Sequence, residues 1–153
     1  MVIKFICTGK TQEAYLITGI QLYIKRLKHY VRFEFIEIDI KKPLPDKLQQ
    51  LKSESQSILK HCQPGDTLIF LDDKGKSYTS IKFAEWISKQ LHKPGNLIFV
   101  AGSAYGFDAA LVKDSPSISL SPFTFTHQMV RLIFVEQLYR AFTIIKNEKY
   151  HHE

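Results

Sequence analysis

Three short segments of the chain combine small, hydroxyl-bearing and aromatic residues, the kind that surround a flat, polar ligand. They are residues 71–73 (Leu-Asp-Asp), 101–106 (Ala-Gly-Ser-Ala-Tyr-Gly) and 120–126 (Leu-Ser-Pro-Phe-Thr-Phe-Thr). Each begins where a predicted strand ends, and open parallel sheets bind ligands beyond the carboxyl ends of their strands. Because small residues let the backbone approach a ligand closely, we expect the three segments to form one concave site.

The sequence lacks the signatures of several other chemistries. Residues 75–77 (Gly-Lys-Ser) resemble the end of a P-loop, but Phe70 occupies the position of its upstream glycine. No Gly-x-Gly-x-x-Gly follows a predicted strand, and the zinc-protease and serine-hydrolase motifs are absent. Cys7 and Cys62 are too far apart for a zinc motif or a disulfide framework, which favours a reducing cytoplasm and no metal.

The last predicted helix, residues 126–146, carries three charged side chains in an otherwise apolar stretch: Arg131, Glu136 and Arg140. Glu136 and Arg140 are four residues apart, in the order that favours an ion pair. Two interpretations stay open. Either the pair is buried and only satisfies itself, or Arg140 faces the binding site and contacts a nucleobase, a phosphate or a substrate anion. An arginine stays protonated near neutral pH, so it would stabilise negative charge and not act as a base.

The same helix is apolar on nearly all faces, which predicts burial on all sides. One sheet in a chain of 153 residues covers only one side, so we expect the other side to meet a second copy in a homodimer. A core helix inside a monomer is the alternative. We interpret His127, at the start of this helix, as structural.

Charge and the C-terminal tail both favour a nucleic-acid partner. The formal net charge is +6, a balance for which RNA or DNA binding has to be considered. The tail, residues 146–153, mixes lysine with Tyr150, His151 and His152, side chains that can stack on a base and contact phosphate. No apolar run approaches the about 20 residues of a bilayer span, so we expect no membrane partner.

Alternating strands and helices must position these residues. The pattern predicts strands at residues 2–8, 32–40, 67–71, 97–101 and 117–120, and helices at 11–29, 46–61, 80–92, 108–113 and 126–146. We expect Thr11 to cap the first helix, a bulge near Phe35 in the second strand and a polar loop at 72–76. The pattern predicts an α/β fold with a mainly parallel sheet and helices on both faces, in a single domain spanning residues 1–153.

Several segments together resemble the ribosomal RNA large subunit methyltransferase H family. Residues 119–131, 136–141 (Glu-Gln-Leu-Tyr-Arg-Ala) and 150–153 (Tyr-His-His-Glu) are similar to its C-terminal signature, and 71–72 and 102–106 to its other motifs. The resemblance covers the whole chain. It implies a SPOUT-type α/β knot with a C-terminal trefoil knot and a homodimer. It also implies S-adenosylmethionine-dependent methylation of N3 of a pseudouridine in 23S rRNA of the large ribosomal subunit.

The resemblance also implies roles, position by position. Arg140 and His151 would be catalytic, Arg140 stabilising the anion of the deprotonated imide and His151 positioning the substrate or accepting its proton. Glu136, Tyr150 and His152 would bind the substrate. The implied contacts of the cofactor S-adenosylmethionine are Leu71, Gly102, Ser103, Leu120, Ser121, Pro122, Phe123, Thr124, Phe125 and Thr126.

Three departures from the family pattern affect these expectations. After Gly102, Ser103 and Ala104 replace the usual Gly-Pro, Thr126 replaces a proline, and His152 replaces an arginine. Ser103 adds a side chain where the backbone would pass the cofactor, which predicts weaker affinity. Two other functions stay open: a methyltransferase of the same fold acting on tRNA, and a non-catalytic rRNA-binding assembly factor that binds no cofactor.

Overall fold

The computed structural model describes all residues, 1–153, and orders the chain as five strands and five helices. The strands are β1 (Ile3–Thr8), β2 (Phe33–Ile38), β3 (Thr67–Ser77), β4 (Leu97–Ala101) and β5 (Ser117–Ser119). The helices are α1 (Ala14–Leu27), α2 (Lys47–Leu59), α3 (Ser80–Gln90), α4 (Ala109–Val112) and α5 (His127–Ile145). None of these helices has both the length and the apolar character needed to cross a membrane.

The five strands form one parallel sheet in the order β2-β1-β4-β3-β5. Since every strand points the same way, all carboxyl ends meet at one edge of the sheet. The segments that follow β4 and β5 therefore emerge on either side of β3. The predicted α/β class with a parallel sheet is confirmed.

Helices cover both faces of the sheet, as predicted. Side chains alternate along a strand, so Phe5 of β1 points to one face and Ile6 to the other. On the first face α1, α3 and α5 bury the larger core, in which the Phe134 ring of α5 lies 4.5 Å from that of Phe5 and 4.6 Å from that of Phe99. On the second face α2 and α4 cover a smaller core around Ile6 and Phe70.

Two expected local features near the start of the chain are wrong. Strand β2 pairs with β1 residue by residue, so there is no bulge near Phe35. Thr11 does not cap α1, which begins at Ala14. The Thr11 hydroxyl instead donates to Glu37 and accepts from the guanidinium of Arg131 at 2.9 Å, because a buried charged donor needs partners more than an exposed helix end does.

Strand β3 extends through the polar residues that were expected to form a loop. It continues to Ser77, and Ile118 of β5 lies opposite both Leu71 and Lys76. The residues between these two positions therefore leave the regular register with β5. A Cβ atom at Gly75 would lie 2.6 Å from the backbone nitrogen of Ile118, so only glycine fits there. The trefoil knot that the resemblance implies stays a prediction.

Helix α5 packs over the sheet between α1 and α3. A Cβ atom at Gly19 of α1 would lie 2.9 Å from Leu132, so the glycine inside α1 permits this close approach. The expectation that a second copy covers the rest of α5 stays a prediction, since apolar residues such as Met129, Leu132 and Ile133 are only partly buried in one chain. Two neighbouring helices of the same chain already cover much of the apolar surface of α5.

Candidate active site

The three segments identified from sequence surround one pocket of about 330 Å³ at the carboxyl edge of β3, β4 and β5. This volume lies at the small end of the about 300–1,000 Å³ typical of ligand pockets. Of the cofactor contacts implied by the resemblance, those that line the pocket are Leu71, Gly102, Ser103, Leu120, Ser121, Phe123, Thr124 and Phe125. Pro122 and Thr126 belong to the third segment but do not line it. No group of three or more His, Cys, Asp or Glu side chains is placed to hold a metal ion.

The second segment forms a tight turn that two glycines make possible. The amide of Gly106 donates to the carbonyl of Ser103 at 3.0 Å, and Gly106 has a φ of +83°, a conformation that L side chains rarely adopt. A Cβ atom at Gly102 would lie 2.6 Å from the carbonyl oxygen of Gly106. Gly102 therefore has no side chain because the turn itself leaves no room for one.

Ser103 lines the pocket, and its hydroxyl is bonded to a residue that does not line it. Ser103 Oγ donates to Glu54 Oε2 of α2 at 3.1 Å. Glu54 is 5% exposed and also accepts from Gln50 Nε2 at 3.0 Å. The serine that departs from the family pattern therefore has a hydrogen-bond partner in α2.

The third segment is held by its own hydroxyls and leads into α5. Ser121 Oγ accepts from the amide of Phe123 at 2.9 Å, and Thr126 Oγ1 accepts from the amide of Met129 at 3.2 Å. Thr126 thus caps α5, a role that suits threonine. Phe123 is 80% exposed, whereas Phe125 is partly buried.

Three ionisable residues line the pocket without being among the cofactor contacts that the resemblance implies. They are Asp72 and Asp73 of the first segment and His127, which was interpreted from sequence as structural. Burial, reinforced by the charge of Arg131, lowers the pKa of His127, so its imidazole is neutral at pH 7. The two aspartates are part of the first segment, and the sequence signal for His127 was its position directly after the third.

A second cluster of functional side chains lies where the second half of α5 meets the tail. Arg140 Nη2 donates to Glu136 Oε1 at 2.5 Å, and Tyr150 donates to the same oxygen at 3.0 Å. The Arg140 guanidinium lies 4.8 Å from the centre of the Tyr150 ring, and its Nη1 is 3.4 Å from His151 Nδ1. The structure thus brings together all of the implied catalytic and substrate-binding residues except His152, which is exposed.

Arg140 and Tyr150 of the cluster keep their protons over the physiological pH range. The hydrogen bond to Glu136 raises the pKa of Arg140. Burial, with hydrogen bonds to Tyr23 and Glu136, raises the pKa of Tyr150. Arg140 is therefore a permanent cation and Tyr150 a permanent donor. The Arg140 Nε is buried without a hydrogen-bond partner.

The pocket and the Arg140 cluster are separate within one chain. Val130 of α5 lines the pocket, and none of the cluster residues does. Ten residues of α-helix from Val130 to Arg140 span about 15 Å. The expectation that Arg140 faces the pocket is therefore not met by a single copy, because the two groups lie at different ends of one rigid helix.

Comparisons with known proteins define the class of this fold and site. A family model described as "Predicted SPOUT methyltransferase" matches residues 1–151, and the chain therefore belongs to the SPOUT methyltransferase family. It is 50% identical over 158 residues to the ribosomal RNA large subunit methyltransferase H of Parabacteroides distasonis, with 100% of both chains covered. It is 49% identical over 156 residues to the protein of the same name in Christiangramia forsetii, with 99% of both chains covered. The resemblance carried by the sequence motifs is confirmed.

Solved structures show the same fold at low identity. A probable methylase family protein from Haemophilus influenzae Rd KW20 superposes with a TM-score of 0.56 at 11% identity, covering 99% of this chain and 70% of that one. A structure reported as "Structural insights into the 2-OH methylation of C/U34 on tRNA" gives a TM-score of 0.52 at 8% identity, with 96% and 98% covered. At these identities the likeness concerns the fold alone.

Proposed function

We propose that this protein transfers a methyl group from S-adenosylmethionine to N3 of a pseudouridine in 23S rRNA of the large ribosomal subunit, in the cytoplasm. The observation that carries the proposal is the pocket formed by residues 71–73 of β3 and by the segments that follow β4 and β5. It lies at the ligand-binding edge of a parallel sheet in a SPOUT methyltransferase. Relatives that match the full length of the chain are named for methylation of large-subunit rRNA.

The residues of the pocket fit the chemistry of the proposed cofactor. S-adenosylmethionine is a cation, and Asp72 and Asp73 place carboxylates in the pocket lining that would favour positive charge. The neutral His127 adds no opposing charge. The turn at Gly102 would bring backbone groups against the ligand, and Phe123 and Phe125 would offer faces to its adenine ring. When bound, the cofactor would supply an activated methyl group.

The chain's own residues would handle the substrate base. N3 of pseudouridine is an imide nitrogen, which must lose its proton to become a good nucleophile. Arg140, held by Glu136 and Tyr150, would stabilise the resulting anion, as positioned cations do. His151, next to Arg140, would orient the base or accept the proton.

The separation of the two sites supports a homodimer as the active form. Methyl transfer requires the reacting atoms to be about 3–3.5 Å apart, whereas the pocket and Arg140 are about 15 Å apart along α5. We therefore propose that the Arg140 cluster of one copy completes the pocket of the other. A homodimer with two-fold symmetry would form two such composite sites.

The test is methyl transfer from radiolabelled S-adenosylmethionine to four RNA substrates from a strain that lacks the activity. These are 70S ribosomes, large subunits, free 23S rRNA and bulk tRNA. We expect label in 23S rRNA, supplied free or in particles, and none in tRNA. Label in tRNA alone would favour the tRNA enzyme. Failure of the protein to bind S-adenosylmethionine in calorimetry would favour the non-catalytic assembly factor.

A further inference from the structure

Helix α2, which carries none of the implied site residues, buries polar side chains behind the pocket. Among its apolar residues, Leu51 and Ile58 are 6% and 2% exposed, whereas Leu48 and Leu59 are 67% and 49% exposed. Gln50 and Glu54 are each 5% exposed. A buried carboxylate is costly unless it is paired or hydrogen-bonded, and no cationic side chain forms a salt bridge with Glu54.

Hydrogen bonds connect Glu54 to the pocket turn on one side and to the loop before α2 on the other. The amide of Leu44 donates to Gln50 Oε1 at 2.7 Å, and Gln50 Nε2 donates to Glu54 Oε1 at 3.0 Å. On the pocket side, Ser103 Oγ donates to Glu54 Oε2 at 3.1 Å and accepts from the amide of Tyr105 at 3.4 Å. Both carboxylate oxygens of Glu54 are thus used, one of them by a residue of the pocket wall.

We propose that Glu54 is a positioning residue for the cofactor pocket, acting through the hydroxyl of Ser103 on the turn at residues 102–106. This inference rests on the proposed function, since it assigns that turn to S-adenosylmethionine. A hydrogen bond to an ionised acceptor is stronger than a neutral one. It directs the Ser103 hydroxyl toward α2, so the backbone and Cβ of Ser103 are left to form the wall.

The turn has few other restraints, which is why this bond matters. Its one internal backbone hydrogen bond joins Gly106 to Ser103, and Ala104 and Tyr105 at its tip are exposed. Removing the side-chain anchor would let the turn sample other conformations. Binding would then have to order the turn, and that cost weakens affinity.

The test compares Ser103→Ala and Glu54→Gln with a matched control, Ser57→Ala, in the full-length protein. Ser57 is a partly buried serine of α2, like Ser103, and its hydroxyl bonds only within the helix. Calorimetry gives the Kd for S-adenosylmethionine and S-adenosylhomocysteine. Hydrogen exchange reports the amides of residues 102–106, and a melting curve accompanies each variant.

We expect Ser103→Ala to weaken S-adenosylmethionine binding about tenfold and to speed exchange in the turn, with Ser57→Ala unchanged in both. Glu54→Gln should act in the same direction. The double variant should be no weaker than the worse single variant, because both remove the same interaction. Should Glu54→Gln fail to fold, Ser103→Ala carries the test alone, since Ser103 is only partly buried.

Two results would overturn the inference. One is wild-type affinity in Ser103→Ala with unchanged exchange in the turn. The other is a lower melting temperature with wild-type affinity, which would leave Glu54 a merely structural group. Absence of S-adenosylmethionine binding in the wild-type protein would count against the proposed function instead. In that case faster exchange in the turn would still support the anchoring role, and unchanged exchange would refute it.

Discussion

Replacing Arg140 by alanine separates substrate chemistry from cofactor binding. The change removes the bond to Glu136 at 2.5 Å and the stacking on Tyr150 at 4.8 Å. Glu136 would not be left unpaired, because it still accepts from Tyr150 at 3.0 Å and from Gln137 at 2.8 Å. We therefore expect a loss of about 2 kcal/mol, near that of a hydrogen bond to a charged group. The larger penalty of about 3–5 kcal/mol for a broken buried pair does not apply.

The effect on catalysis should be larger than the effect on stability. A loss of about 2 kcal/mol lowers the melting temperature of a domain of this size by about 4–8 °C, so the variant stays folded at assay temperature. Removing a group that stabilises a developing anion lowers kcat about 100- to 1,000-fold. The Kd for S-adenosylmethionine should stay within about threefold, because Arg140 does not line the pocket.

The assay combines single-turnover methyl transfer to large ribosomal subunits, calorimetric cofactor binding and a melting curve. Arg32→Ala is the matched control, since Arg32 is 76% exposed and pairs only with Glu34. That variant should match the wild-type protein in all three measurements. A folded Arg140→Ala protein with the wild-type kcat would refute the assignment and make the cluster purely structural.

Three further outcomes are expected. Gly102→Ala should weaken S-adenosylmethionine binding at least about tenfold in calorimetry, because the new Cβ would lie 2.6 Å from the carbonyl oxygen of Gly106. Wild-type affinity in this variant would mean that the cofactor binds elsewhere. Gly102→Val and Arg140→Ala proteins, each inactive alone, should recover about a quarter of wild-type activity when they are refolded together. Half of the randomly paired dimers would be mixed, and each mixed dimer would hold one intact composite site out of two. No recovery would contradict a site shared between copies. Burial lowers the pKa of His127 in the folded state, so its contribution to stability is present above the ordinary pKa of about 6.5 and is lost as pH falls below it. Between pH 7 and pH 5 the free energy of unfolding should therefore fall less for His127→Gln than for the wild-type protein. Parallel curves for the two proteins would contradict this.

The sequence determined the class of fold and the place of the pocket. Hydrophobic periodicity is local, because each element must present an apolar face at its own repeat. It therefore located all ten elements and the parallel arrangement they form. The pocket segments at residues 71–73, 101–106 and 120–126 were identifiable for the same reason, since parallel strands bring their carboxyl ends to one edge, although β3 itself continues to Ser77. The family followed from motifs that are continuous in sequence.

Only the tertiary structure decided which polar groups meet. Glu54 and Ser103 are 49 positions apart, and Arg131 contacts Glu37 across 94 positions. No local pattern encodes such pairs, because a buried donor or acceptor is satisfied by whatever partner the fold brings within hydrogen-bond distance. The apolar residues of α2 therefore gave no sign that the helix also buries a carboxylate. The motifs likewise grouped Arg140 with the pocket, whereas a rigid helix rising 1.5 Å per residue holds the two apart within one chain.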